Sequence, residues 1–268
     1  MFVLGMIRDF DVSSVEYNAV QPYPHIVLDD ALDPVFARNL QEEIMSTPQD
    51  CFDRYANPFE DKYTLRDKVN CSPCLQSLFS YLESPDFVSK LSTLVGVRLY
   101  VDGTRNFHGV HVYKDHDKLD IHVDAGVHPS IGLKKHVTVG IYLSLHWKDE
   151  YGCQLEIWEG SPVTSGKPVI SKCIKSIAPV FNRMVVFTCT DEAWHGNPTE
   201  TMCPPDARRI FVTVSYLSDC LGEAGFDNKL KKAYFVARPQ DPLDPTKDHM
   251  RLMRADPVLY KTVYNCKA

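Results

Sequence analysis

The chain has 268 residues, 44% of them hydrophobic, enough to bury one substantial core, so one domain with attachments is expected rather than two small ones. A net charge of −6 and a pI near 5.9 rule against the basic field that nucleic-acid binding depends on, and DNA and RNA are disfavoured partners. The apolar opening Met1 to Ile7 is interrupted by Arg8 and Asp9 before a signal-peptide core is complete, and no later run reaches membrane-spanning length, so a soluble cytoplasmic protein with no membrane attachment is expected.

Before residue 96 the pattern is mainly helical. Asp33-Pro34, Ser72-Pro73 and Ser84-Pro85 each set a capping oxygen ahead of a proline at the first helical position, and each opens a predicted helix. Leu75, Leu78, Phe79 and Leu82 fall at i, i+3, i+4 and i+7. Phe87 or Val88, Leu91 and Leu94 repeat the stripe, and Gly96 suits the stop. Such stripes cover a sheet, so this region reads as a helical support. The 9 Cys lack scaffold-like spacing and are read as reduced thiols. Cys71-Ser72-Pro73-Cys74 has the C-x-x-C form of redox and zinc sites, but no second pair lies nearby. The preceding Thr64 to Asn70 is also too polar for the buried strand that a redox motif follows, so the pair reads as a helix start.

From 97 to 218 the pattern changes to short alternating or β-branched segments, roughly 97–101, 108–114, 120–124, 137–146, 153–158, 174–179, 183–189 and 208–218. These suit a jelly-roll double sheet, mainly β with flanking helices. In 108–114, His111 and Tyr113 share a face, and Tyr113 either offers its hydroxyl to a ligand or fills the barrel wall. In 120–124, His122 and Asp124 stand at i and i+2, project from one face roughly 6.6 Å apart along the strand, and can grip one ion. A third ligand must come from a neighbouring strand, and the apolar run Met184 to Cys189 ahead of His195 supplies the candidate. Two imidazoles and one carboxylate leave three cis positions open on a non-haem Fe(II) ion, which points to oxygen chemistry. Chance alone readily yields an H-x-D pair in a chain with 10 His, so independent support is needed. His108, His111, His116, His128, His136 and His146 are read as polar loop or strand residues, and none is assigned to iron.

That support comes from alternation. Val137, Val139, Ile141 and Leu143 occupy one face of their segment, with Thr138, Gly140, Tyr142 and Ser144 on the other. In 208–218, Ile210, Val212 and Val214 oppose Arg209, Phe211, Thr213 and Ser215. With the apolar faces under the helices, Thr138, Tyr142 and Arg209 look into the barrel. A buried arginine without a partner costs several kcal/mol, and neither strand holds an acid to pair with it. A dianionic ligand solves the problem, its carboxylate gripped by the guanidinium and a tyrosine hydroxyl. Arg208 is the neighbour expected to face water. The tail from Cys220 holds a short strand at Ala233 to Val236, a Pro-rich turn and a short helix near 246–255.

Together these residues resemble the 2-oxoglutarate and Fe(II)-dependent dioxygenases, more closely the prolyl-4-hydroxylase-like branch. The matching text is His122-Val123-Asp124, Thr138 to Ser144 leading to Trp147, Tyr151 to Trp158, Ala178 to Phe187, His195-Gly196-Asn197-Pro198 and Arg208 to Tyr216, within about residues 97 to 218. The resemblance implies a double-stranded β-helix, a cupin-like variant of the jelly roll. It implies His122, Asp124 and His195 as the metal ligands and catalytic centre, Arg209 on the distal carboxylate of 2-oxoglutarate, Tyr142 hydrogen-bonded to that carboxylate, and Tyr113 and Thr138 nearby. Fe(II), 2-oxoglutarate and O₂ are the implied cofactor and cosubstrates, with ascorbate as an optional reductant. The implied reaction converts 2-oxoglutarate to succinate and CO₂ while a C–H bond becomes C–OH. Related halogenases replace the carboxylate with a small residue, so Asp124 implies hydroxylation instead. Cys153 departs from the pattern, standing where the family usually shows a second glycine.

Substrate choice is expected to rest on loops at the barrel mouth, Tyr55 to Val69, Gly103 to His108 and Ala125 to Lys135, where Lys134 and Lys135 either meet an acidic group or, the reading preferred here, belong to a solvated loop. The resemblance favours a prolyl or other amino-acid residue in a protein or peptide, or a free amino acid. One alternative is oxidative demethylation of nucleic acid on the same chemistry, against which the acidic pI counts. Another is a catalytically silent jelly-roll binding module, against which the intact His, Asp, Arg and Tyr set counts. The expected plan is 1–96 as helical support, 97–218 as the β core and 219–268 as a C-terminal extension.

Overall fold

A computed structural model describes residues 7–9, 12–230, 232–256 and 258–264, so the apolar opening weighed against a signal peptide lies, Ile7 apart, outside the described residues. Helices begin where the sequence writes a cap. Ser13 and Glu16 form a reciprocal capping box on α1 (Ser14–Ala19). Asp33 accepts from the Val35 and Phe36 N–H groups at 3.0 and 2.9 Å to start α2 (Pro34–Ser46). α3 (Pro73–Leu82) starts at Pro73, so the C-x-x-C pair does sit at a helix start, but its cap comes from elsewhere. The Cys74 N–H donates to Glu43 of α2 at 2.9 Å, and the Ser72 hydroxyl makes no capping bond. Ser84 caps α4 (Pro85–Val95), and Gly96 ends it at φ +79°, the left-handed conformation that glycine adopts without a Cβ penalty.

Thirteen strands form one antiparallel sheet: β1 (His25–Leu28), β2 (Phe52–Asn57), β3 (Glu60–Leu65), β4 (Tyr100–Val101), β5 (Gly109–Tyr113), β6 (Lys118–Val123), β7 (Lys134–Tyr142), β8 (Leu155–Gly160), β9 (Ile170–Ile177), β10 (Arg183–Thr188), β11 (Trp194–Asn197), β12 (Arg209–Ser218) and β13 (Tyr234–Phe235). The main path runs β1-β10-β7-β12-β5-β3-β6-β11-β8-β9, with β2, β4 and β13 attached to β3, β12 and β6. The sheet curls into a half-barrel. Phe187 of β10 lies 4.7 Å, ring to ring, from His195 of β11, although several strands separate them along the sheet.

The alternation read in β7 and β12 decides which side is which. Val137, Val139, Ile141, Leu143, Ile210, Val212 and Val214 join Leu40, Leu78, Phe79, Phe87, Leu91 and Leu94 of the helices in one buried core. Tyr142 faces the other way, into a smaller cluster with Val185, Phe187, Leu155 and Ile157 that bridges the two walls of the curl. The tail adds β13, then α5 (Pro245–Ala255) and α6 (Tyr260–Tyr264).

Three expectations need correction. The region before residue 96 also carries β1, β2 and β3, and β3 is inserted between β5 and β6 at the centre of the sheet. Most of the segment Tyr55 to Val69, read as a mouth loop, is the β2–β3 hairpin. Its alternation went unseen because the inward positions of β3 include Glu60 and Lys62, buried as an ion pair at 2.9 Å. Lys134 and Lys135, finally, are not in a solvated loop but buried at the start of β7.

Candidate active site

The two histidines meet because their strands pair. β6 and β11 run antiparallel with His122 and His195 as direct partners, their rings 4.5 Å apart. Asp124 follows the last residue of β6, with Oδ1 3.6 Å from His122 Nε2 and Oδ2 3.8 Å from His195 Nε2. One donor atom from each of the three lies within 4.8 Å of the others. His195 does not belong to the strand that precedes it. The run Met184 to Cys189 is β10, which pairs with β1 and β7, and the ligand candidate stands on the separate short strand β11.

Backbone carbonyls set both rings. His122 Nδ1 donates to the Asp120 carbonyl at 2.9 Å, and His195 Nδ1 donates to the Ala193 carbonyl at 2.8 Å. A carbonyl can only accept, so each Nδ1 carries the proton and each Nε2 turns a lone pair toward the centre, the tautomer a metal ligand needs. Burial, and after it the neighbouring His122, pushes His195 down to about 4, which keeps it neutral. Burial on its own would raise the Asp124 carboxyl, but Lys135 and the two histidines hold it well below the usual range. The strand is anchored from behind by α5, whose Lys247 and Arg251 reach the Asp120 carboxylate at 2.6 and 3.6 Å. Phe235 of β13 packs 5.2 Å from the His122 ring.

Arg209 is the second feature of the site. It is 1% exposed, yet its Nε and Nη1 have no protein hydrogen-bond partner. Nη2 stands 3.4 Å from the Tyr142 hydroxyl, and the guanidinium lies 4.6, 5.1 and 5.5 Å from the rings of Tyr113, Tyr142 and Phe211. Arg208, as expected, turns outward, donating to the Pro205 and Ala207 carbonyls. A buried cation held by rings and hydroxyls, with two donors unspent, fits an anionic ligand. Burial pushes the Tyr142 hydroxyl up to about 12, so it remains a hydrogen-bond donor at neutral pH.

His122, Asp124, His195, Tyr113, Thr138 and Arg209 line one cavity of about 230 Å³, and Tyr142 joins them through Arg209. The Thr138 hydroxyl is already engaged with Ser215 at 2.9 Å and Cys189 at 3.4 Å. Cys153, the departure noted above, sits at φ +58°, a conformation that glycine adopts freely, and its sulfur accepts from Asn197 at 2.9 Å. The cavity also takes in residues to which the sequence reading gave no role at the site, Lys62, Phe107 and Asn197, together with Lys135, weighed there against an acidic group, and His111 as a strand residue on its wall. Of these residues, Lys135 touches a proposed ligand, the acidic partner being Asp124 at 2.7 Å.

Residues 108–219 match the 2OG-Fe(II) oxygenase superfamily. That family implies Fe(II), 2-oxoglutarate and O₂ as cofactor and cosubstrates, and it is an oxygenase family. No curated protein matches the chain by sequence. Among solved structures, a prolyl-4-hydroxylase of Pseudomonas putida is 15% identical, covering 76% of this chain and 97% of its own, with a TM-score of 0.52. A prolyl hydroxylase of Trichoplax adhaerens, solved with a hypoxia-inducible-factor oxygen-degradation-domain peptide, is 18% identical over 73% of this chain and 83% of its own, with a TM-score of 0.52. SnoK, a non-heme alpha-ketoglutarate-dependent carbocyclase from nogalamycin biosynthesis, is 14% identical over 87% and 94%, with a TM-score of 0.52. At such identities the likeness is one of fold, and these neighbours share the oxygenase jelly roll. Among the described residues no helix is long and apolar enough to cross a membrane.

Proposed function

We propose that this oxygenase hydroxylates an unactivated C–H bond, in a reaction that converts 2-oxoglutarate and O₂ to succinate and CO₂. The substrate class we propose is a prolyl or other amino-acid residue of a protein or peptide, or a free amino acid. The observation that carries the reading is the pairing, in one cavity, of a His-Asp-His set with correctly turned lone pairs and a buried arginine with unspent donors.

In this reading His122 Nε2, Asp124 and His195 Nε2 hold Fe(II), which when bound supplies the oxygen activation that side chains cannot. The protein's own work is placement. Arg209 and the Tyr142 hydroxyl fix the far carboxylate of 2-oxoglutarate, and Tyr113 adds a second hydroxyl beside it. The carboxylate neutralises the buried guanidinium, so cosubstrate binding relieves a charge that folding left unpaired. Phe187, Phe211 and Leu155 on the cavity wall exclude water from around it.

The test is an anaerobic titration of the purified protein with Fe(II) and then 2-oxoglutarate, following the weak visible charge-transfer band of the chelate. His122→Ala should lose the band with the metal, and Arg209→Ala should lose it at concentrations that saturate the wild type. No band from folded wild-type protein overturns the assignment. With the band in hand, succinate release measured over a panel of prolyl peptides and free amino acids tests the substrate class.

A further inference from the structure

We propose that Lys135 is a positioning residue that holds Asp124 to one-oxygen ligation and thereby keeps enough of the metal open for the reaction. The inference rests on the functional reading above. Lys135 lines the cavity with the three proposed ligands, and its Nζ donates to Asp124 Oδ2 at 2.7 Å. The residue is 9% exposed. Its ammonium lies 5.6 Å from the Phe107 ring, and its backbone N–H donates to the Gly126 carbonyl at 2.9 Å, so strand β7 is tied to the turn that follows Asp124. The lysine and the carboxylate are therefore held by the same piece of backbone.

The two carboxylate oxygens have different surroundings. Oδ1 faces His122 Nε2, and Oδ2 takes the ammonium while standing 3.8 Å from His195 Nε2. Neutral rings with the proton on Nδ1 present lone pairs at Nε2 and do not donate to the carboxylate. Lys135 is thus the hydrogen-bond donor to Oδ2 among the described residues. Without it, both oxygens would be free to turn to a metal seated between the rings.

Coordination arithmetic gives this a consequence. A six-coordinate ion with two imidazoles and one carboxylate oxygen keeps three open positions, whereas a chelating carboxylate leaves two. 2-Oxoglutarate binding through its keto oxygen and carboxylate takes two, and O₂ needs a third. Engaging Oδ2 with a lysine prevents the acid from taking the place of a substrate. The cost falls on the metal, because a positive charge on Oδ2 both weakens the donor and repels the ion.

These two effects have opposite signs, which makes the proposal testable without turnover. The wild-type protein, Lys135→Met and Lys135→Arg are titrated anaerobically with Fe(II) and then 2-oxoglutarate, followed by the charge-transfer band, and each complex is then titrated with nitric oxide, a surrogate for O₂, followed by electron paramagnetic resonance. Circular dichroism checks the fold. Lys135→Met is expected to bind Fe(II) at least as tightly as wild type and still to take up 2-oxoglutarate, while the affinity of that complex for nitric oxide, the probe of the third position, falls about tenfold or more. Lys135→Arg, which keeps a charged donor, restores it. Should Lys135→Met not fold, Lys135→Gln carries the same expectation. Unchanged nitric oxide affinity in a folded neutral variant loaded with Fe(II) and 2-oxoglutarate overturns the proposal, as does joint loss of Fe(II) and 2-oxoglutarate binding, the mark of a lysine that merely shapes its loop. Failure of the wild type to give a band overturns the functional reading instead.

Discussion

Arg209 should be a residue that the protein without ligand can lose at little cost in stability. Its guanidinium is 1% exposed with two nitrogens unpartnered, and replacing a buried charge by an apolar side chain of similar volume commonly gains about 1–4 kcal/mol. Three aromatic rings within 5.5 Å offset part of this, each by roughly 0.5–1 kcal/mol or somewhat more where desolvated. The three rings together offset about 1.5–3 kcal/mol, so Arg209→Met should lie within about 1 kcal/mol of the wild type without ligand, or roughly 4 °C in Tm for a chain of this size. Ligand linkage runs the other way. At a hundredfold excess over its Kd, 2-oxoglutarate should stabilise the wild type by about 2.7 kcal/mol and the variant not at all. The assay is thermal and guanidinium denaturation of both proteins with Mn(II), with and without 2-oxoglutarate. A variant about 3 kcal/mol or more less stable than wild type without ligand, the cost of removing a charge that already has its partner, or one that keeps the ligand-induced shift, refutes the reasoning that this cation waits for an anion.

Other expectations follow from single contacts. A Cβ on Gly196 would lie 2.7 and 2.8 Å from the Asp120 and Leu119 carbonyl oxygens, backbone that cannot yield, and Asp120 is the carbonyl that orients His122. Gly196→Ala should therefore weaken Fe(II) binding about tenfold or more in a calorimetric titration. Glu83 is held at about 2, against the raising effect of burial, by His108 and Arg105. Its stabilisation is present above pH 4.5 and lost as pH falls toward 2, so Glu83→Gln should cost roughly 1–2 kcal/mol at pH 7, allowing for solvent screening, and much less at pH 3. His136, stacked on Phe226 and bonded to Ser218, is pushed down to about 4 by burial, with Lys134 adding to it. The neutral ring's contribution is present above pH 6.5 and lost between 6.5 and 4, by roughly 2 kcal/mol, and His136→Gln should flatten that part of the stability profile measured by denaturant titration.

Much of the site was legible because its signals are local. The caps at Asp33 and Ser84 announce helices from within a few residues, and the Val137 and Ile210 alternations separate a helix-facing side from a cavity-facing side without reference to the rest of the chain. His122 and Asp124 are two residues apart on or beside one strand, so strand geometry alone brings them together. Arg209 was legible as a conflict, a cation on an inward face with no acid beside it, and the structure leaves that conflict in place.

What the chain could not show by itself depends on which strands become neighbours. β3 reads poorly as a strand because its inward positions are charged, and it becomes one only through the Glu60–Lys62 pair and its seat between β5 and β6. His195 reaches His122 because β11 pairs with β6, whereas the apolar strand just ahead of it goes elsewhere. Lys135 shows the limit most plainly. By alternation it shares a face with Val137 and should lie under the helices, but Val137 and Lys135 oppose the adjacent residues Tyr216 and Leu217, leaving His136 as an extra residue in the ladder. A bulge of one residue reverses every side chain beyond it. Periodicity in a sequence records the direction of side chains only while the register is unbroken, and register is a property of two strands. The pairing of His122 with Asp124, the helix starts and the inward-facing arginine were therefore legible in the sequence. The strand that carries His195, the inserted hairpin and the lysine on Asp124 were decided only when those strands met.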